Sequence, residues 1–185
     1  MKNFSRLNHI LCFSSHSWDF ELKRAQHLLL RFAENASIYY FEDPVFDAVA
    51  EPSLSFATRS ETLWKVVPHL KKNLSALQIQ LSLEGLLDTF FENASMENWI
   101  FWYYDCTAIS FTRKYNPGIT VYDCIEAGGP VLELTEDLSM MDKELQGRSD
   151  LVFKADGSLH AAEENWDHSY HHIAQQIKNV ASSFN

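Results

Sequence analysis

Apolar residues along the chain follow two rhythms. Short, dense runs rich in β-branched and aromatic residues read as strands at 9–14, 37–41, 63–67, 99–104, 119–124 and 151–155. The run WIFWYY at 99–104 has no polar interruption, the pattern of a strand buried on both faces. Between the runs, apolar residues recur every three or four positions. Residues 25, 28, 29 and 32 form one such stripe and predict a helix over 24–34. A longer stripe through 74, 77, 81, 83, 86, 87, 90 and 91 predicts a helix over 70–93. A third helix is expected over 131–146, with Gly147 as its C-cap. The last stripe joins Leu159, Ala162, Trp166, Tyr170, Ile173, Ile177 and Val180, unless Asn165 caps a separate helix that starts at Trp166.

Prolines punctuate this pattern. Pro44 is expected to end the second strand and Pro68 the third, because proline cannot donate to a ladder. Residues 45–62 are irregular, apart from a short strand signal at 56–59. Strand–helix alternation predicts an α/β, Rossmann-like, mostly parallel sheet with helices on both faces. In such sheets ligands sit beyond the carboxyl ends of the strands, where the strand order reverses. Those ends carry Ser14-Ser15-His16, Glu42-Asp43, Tyr103-Tyr104-Asp105 and Tyr122-Asp123-Cys124-Ile125-Glu126.

Length and composition narrow the function. A chain of 185 residues makes one domain, and 46% hydrophobic residues suffice for a core. The six glycines cannot be threaded by G-x-G-x-x-G or G-x-x-x-x-G-K-[ST], so a glycine-built phosphate cradle is excluded. The net charge is −10, and no basic block exceeds Lys71-Lys72. Nucleic acid is therefore not an expected partner. No apolar run approaches the ~20 residues of a membrane span, so no transmembrane segment is expected. Three cysteines without C-x-x-C spacing suit a reduced, cytoplasmic protein. His168 and His172 stand at i, i+4 beside Glu164, a spacing that could bind a metal. H-E-x-x-H is absent and the face is a solvated one, so no metal and no cofactor is expected.

The strand ends also carry a family pattern. Residues 13–33, FSSHSWDFELKRAQHLLLRFA, resemble the opening of a group of bacterial glycosyltransferases. The resemblance rests on Ser14, His16, Trp18, Asp19, Phe20, Arg24, Gln26 and His27, with Ala25 where proline is usual. Further on, Glu42-Asp43-Pro44 is similar to a Glu-x-Pro motif, and Trp102-Tyr103-Tyr104 to an aromatic strand end. Tyr122-Asp123-Cys124-Ile125-Glu126 resembles a Y-D-C-x-[DE] turn, and 149–153 an ADLVF strand. Together these span residues 9–160. The group is that of GT-B, family-4-like retaining glycosyltransferases associated with UDP-galactopyranose mutase.

The resemblance implies an acceptor-side Rossmann-like half over 1–164 and a final helix over 165–185 that packs back on it. It also implies a function: a glycosyltransferase-like, acceptor-binding half without the nucleotide-sugar donor domain, weakly active or inactive alone. The expected partners are a carbohydrate or glycolipid-precursor acceptor, and a second copy or a chain that carries a donor-binding domain. The E-x7-E spacing of Glu84 and Glu92 matches the family's donor segment by chance, since it falls in the middle helix. A non-catalytic interaction or dimerisation domain is the alternative.

The implied substrate-binding residues are His16, Trp18, Asp19, Arg24, Gln26, His27, Glu42, Tyr104, Asp123 and Glu126. Each has a plainer role open to it. His16 and Asp19 could orient an acceptor hydroxyl or satisfy their own loop. Arg24 could receive an anion at a helix N-terminus, or pair with Glu42 or Asp123. Asp123 and Glu126 could bind sugar hydroxyls or cap a turn. Tyr103 and Tyr104 could stack on a sugar or fill the core.

Overall fold

The computed structural model describes residues 7–19, 24–124, 135–154 and 165–183. Seven strands form one sheet: β1 His9–Phe13, β2 Ser37–Phe41, β3 Ser53–Ser60, β4 Leu63–His69, β5 Trp99–Tyr103, β6 Ile119–Asp123 and β7 Leu151–Phe153. Their order is β3-β4-β2-β1-β5-β6-β7. Only β3 runs antiparallel, against β4. With β3 set aside, the parallel strands stand in the doubly wound Rossmann order 3-2-1-4-5-6. The order reverses between β1 and β5.

Strand alternation divides the core in two. Ile10, Cys12, Ile38, Tyr40, Ile100 and Trp102 face helices α1 (Arg24–Phe32) and α5 (Trp166–Ser183). Leu11, Phe13, Phe41, Phe101, Tyr103 and Tyr122 face α2 (Ala76–Phe90), α3 (Ile109–Thr112) and α4 (Glu136–Arg148). Every residue of β5 is buried, as the unbroken apolar run predicts.

Several boundaries differ from the sequence expectation. The strand β4 continues through Pro68 to His69. The carbonyl of Pro68 accepts from Val45 N at 2.8 Å, on the flank where β2 has already ended. The missing N–H of the proline therefore costs no ladder bond. The edge strand β3 is longer than its 56–59 signal because half of it is exposed and none of it is buried, so it needs no apolar alternation.

The second helix starts at Ala76, not at residue 70. Leu70 is tied to Val45, and Asn73 takes a left-handed conformation at φ 60°, which no helix passes through. A capping box between Ser75 and Gln78 then starts α2. Gly147 lies inside α4 and is not its C-cap: the helix runs to Arg148, and Ser149 N closes it on Leu145 O. The first four residues of the expected third helix, 131–134, lie outside the described residues. Asn165 caps α5, its Oδ1 accepting from His168 N at 3.0 Å.

The helix α5 returns onto α1. Trp166 stacks on His27 with ring centroids 4.7 Å apart and nearly parallel planes (6°). Tyr170 meets Phe32 edge to face, and Arg31 Nε reaches Asp167 Oδ1 at 2.5 Å. Ile173 and Ile177 are buried beneath these contacts. His168, His171 and His172 are exposed on the outer side of the helix.

Candidate functional site

A cavity of about 440 Å³ opens at the carboxyl ends of β1, β2 and β5, where the strand order reverses. Phe13 and Phe41, the last residues of their strands, contribute its apolar floor. One wall is α2, through Leu77, Gln80 and Leu83; Phe111 of α3 and Met141 of α4 complete the apolar part. Ser14, Ser15, Glu42, Asp43 and Asp105 supply most of the polar part. Among the described residues, none of those lining the cavity is basic.

The carboxylates differ in how they are held. Glu42 Oε1 accepts from Trp18 N at 2.6 Å and from Ser17 Oγ at 3.1 Å, so it anchors the loop after β1. Asp105 accepts from Thr107 N at 2.7 Å and caps the short turn that leads into α3. Asp43 keeps an exposed edge, but the concave walls strip water from its carboxyl and push its pKa up. The negative charge of Asp105 adds to that shift, His16 opposes it, and Glu42 adds a smaller contribution. Nearby thiols are poor nucleophiles: burial raises Cys124, and pushes Cys106 up to about 11.

Of the expected substrate-site residues among the described ones, Glu42 alone lines this cavity. Arg24 and Asp123 meet on the other face as a buried ion pair, Nε to Oδ2 at 3.3 Å. Gln26 is buried and donates to Trp18 O at 3.4 Å. Trp18 lies edge-on to Tyr40, whose hydroxyl donates to His16 O at 3.0 Å. Asp19 is clamped outside by Arg59 Nη2, 2.7 Å from both its oxygens, and by Lys65 Nζ at 2.6 Å. Those contacts hold its carboxyl below the usual range. His27 is covered by Trp166, and Tyr104 packs with the core on the α1 and α5 side. Glu126 lies outside the described residues.

Lining residues not among the expected substrate-binding set include Asp43, Asp105, Gln80 and Leu77. Their signal was present for the two acids, which stand at strand ends. For the two α2 residues there was none, because a helical stripe does not reveal which side of it stays uncovered.

No protein family model and no curated protein matches the sequence. Solved structures share its fold. A trehalose-6-phosphate structure from E. coli, bound with UDP-2-fluoro glucose, is 14% identical with a TM-score of 0.50. It aligns over 78% of this chain and 39% of its own. An alpha,alpha-trehalose-phosphate synthase (UDP-forming) from Burkholderia xenovorans, in complex with glucose-6-phosphate, is 8% identical with a TM-score of 0.45 and the same coverage. The chain thus spans about two-fifths of the structures it matches. At this identity the likeness shows the fold alone, an α/β Rossmann-like, mostly parallel sheet. Among the described residues no helix is long and apolar enough to cross a membrane.

Proposed function

We propose that the chain is the acceptor-side half of a retaining GT-B glycosyltransferase, of the family-4-like group associated with UDP-galactopyranose mutase. The observation that carries this reading is the cavity at the reversal of strand order. It offers carboxylates and serine hydroxyls over an apolar, aromatic floor, the combination that binds sugar hydroxyls on one side and a sugar's C–H face on the other. The order of the short motifs along 9–160 supports the narrower family assignment. A carbohydrate or glycolipid-precursor acceptor is the ligand, and the donor side comes from a second half that these 185 residues do not contain. The protein works in the cytoplasm.

The test is transfer from labelled UDP-sugars to a panel of sugar acceptors by the isolated chain. The expected result is turnover far below the ~1 s⁻¹ lower end of ordinary enzymes. Transfer at ordinary rates by the chain alone overturns the half-enzyme reading. A second reading, a dimerisation domain, draws on Leu77 and Leu81, which lie 62% and 56% exposed on α2. A monomeric mass in size-exclusion chromatography with light scattering removes it.

A further inference from the structure

The lining of the cavity is unequal. Among the described residues, its ionisable groups are Glu42, Asp43 and Asp105, all acids at the strand ends. His16, next to them on the loop after β1, acts on Asp43 through its charge but does not line the cavity. The opposite walls are mainly apolar, through Leu83 of α2, Phe111 of α3 and Met141 of α4, with Gln80 of α2 and Ser110 of α3 as their uncharged polar groups. The apolar wall also continues outward. Leu77 lines the cavity while more than half exposed, and Leu81 follows one turn later on the same face of α2. The buried arginine that could have received an anion, Arg24, is on the other side of the sheet with Asp123.

We propose that this cavity takes an uncharged, amphipathic glycoside. Its hydroxyls face the carboxylates at the ends of β1, β2 and β5, and its apolar aglycone runs along Leu77 and Leu81. The inference rests on the cavity being the acceptor site and narrows the acceptor class. Carboxylates only accept hydrogen bonds when ionised, and hydroxyls donate them; bonds to an ionised acceptor are the stronger kind. A phosphate or carboxylate on the ligand would bring like charge into a partly dehydrated site, which its three acids oppose. A bare sugar would leave the wall of α2 in water. An alkyl chain covers it, and each methylene buried there tightens binding about fourfold.

Isothermal titration of the intact chain at pH 7 tests this. The probes are octyl β-D-glucopyranoside and octyl β-D-galactopyranoside below their micelle concentrations, the two methyl glycosides, and octyl phosphate. At least one octyl glycoside is expected to bind ten times tighter than its methyl counterpart and than octyl phosphate. Leu77→Asn, an exposed change, should weaken that binding at least fivefold without moving the thermal midpoint. Asp43→Asn should narrow the gap to octyl phosphate at least threefold. Equal affinity for methyl and octyl glycosides overturns the proposal. So does octyl phosphate binding as tightly as the glycosides, or silence from both octyl glycosides at millimolar concentration. Ordinary sugar transfer by the chain alone, which overturns the half-enzyme reading, leaves these ratios untouched, so the two readings fail separately.

Discussion

On the α1 and α5 face of the sheet, the polar groups near the strand ends are used up inside the protein. Arg24 meets Asp123, Gln26 meets Trp18, Glu42 and Tyr40 hold the loop after β1, and Trp166 covers His27. On the α2 and α3 face, the same strand ends open into a cavity where Asp43 and Asp105 meet solvent beside an apolar wall. The two faces share strands, composition and even motifs. What separates them is coverage: α5 returns across one face, whereas α2 stands back from the strand ends on the other. A polar residue at a strand end is thus a plug or a ligand group according to the face it points to.

The largest expected effect tests the plugged face. Asp123→Ala removes one partner of a buried pair and strands the Arg24 guanidinium. The expected cost is about 3–5 kcal/mol, read from urea unfolding. A loss below about 1 kcal/mol would mean that the pair is not structural, and the contrast between the faces would collapse.

Glu42 belongs to both sides, since it anchors Trp18 and Ser17 while lining the cavity. Glu42→Ala should cost about 1–3 kcal/mol, because its two bonds to the loop, one part-buried and one exposed, go to an ionised acceptor. Glu42→Gln keeps an acceptor oxygen and should cost clearly less. Hydrogen exchange at Trp18 N separates the cases: protection should fall strongly in the alanine variant and partly in the glutamine one. Unchanged protection in both would place Glu42 with the cavity alone.

Much of this division was legible in the sequence. Most of the elements and the mostly parallel sheet follow from the two hydrophobic rhythms, whereas the one-turn helix α3 does not. The sorting of faces follows too, through the period of two. Asp123 has the parity of Ile119 and Val121, which pack toward α1 and α5. Asp43 and Asp105 have the parity of Phe41 and of Phe101 and Tyr103, which pack toward α2 and α3. Coverage was not legible. Whether Arg24 would meet Asp123 or an incoming anion depends on contacts 99 residues apart in the chain. The late start of α2 depends on Leu70 being drawn back to Val45 and on the turn at Asn73, neither of which alters the helical stripe. That delayed start places Leu77 at the rim of the cavity.

The smallest effect concerns Asp19, where the family pattern points to ligand binding and the contacts point to surface pinning. Hydrogen bonding from Lys65, then from Arg59, holds its carboxyl below the ordinary 3.8 when folded. A lowered folded pKa means that the stabilisation is complete above about pH 4 and is lost as pH falls through the folded value. The side chain is half exposed, so water and salt screen the pair, and its worth is at most about 1 kcal/mol. Asp19→Asn should therefore lower stability slightly at pH 7 and in low salt. The difference from the parent chain should shrink in 1 M salt and vanish near pH 2. If the gap persists at pH 2, the charge is not what Asp19 contributes. If instead stability never changes while octyl glycoside binding weakens, Asp19 belongs with the open face despite its position, and the division between plugs and ligand groups must be redrawn through the loop after β1.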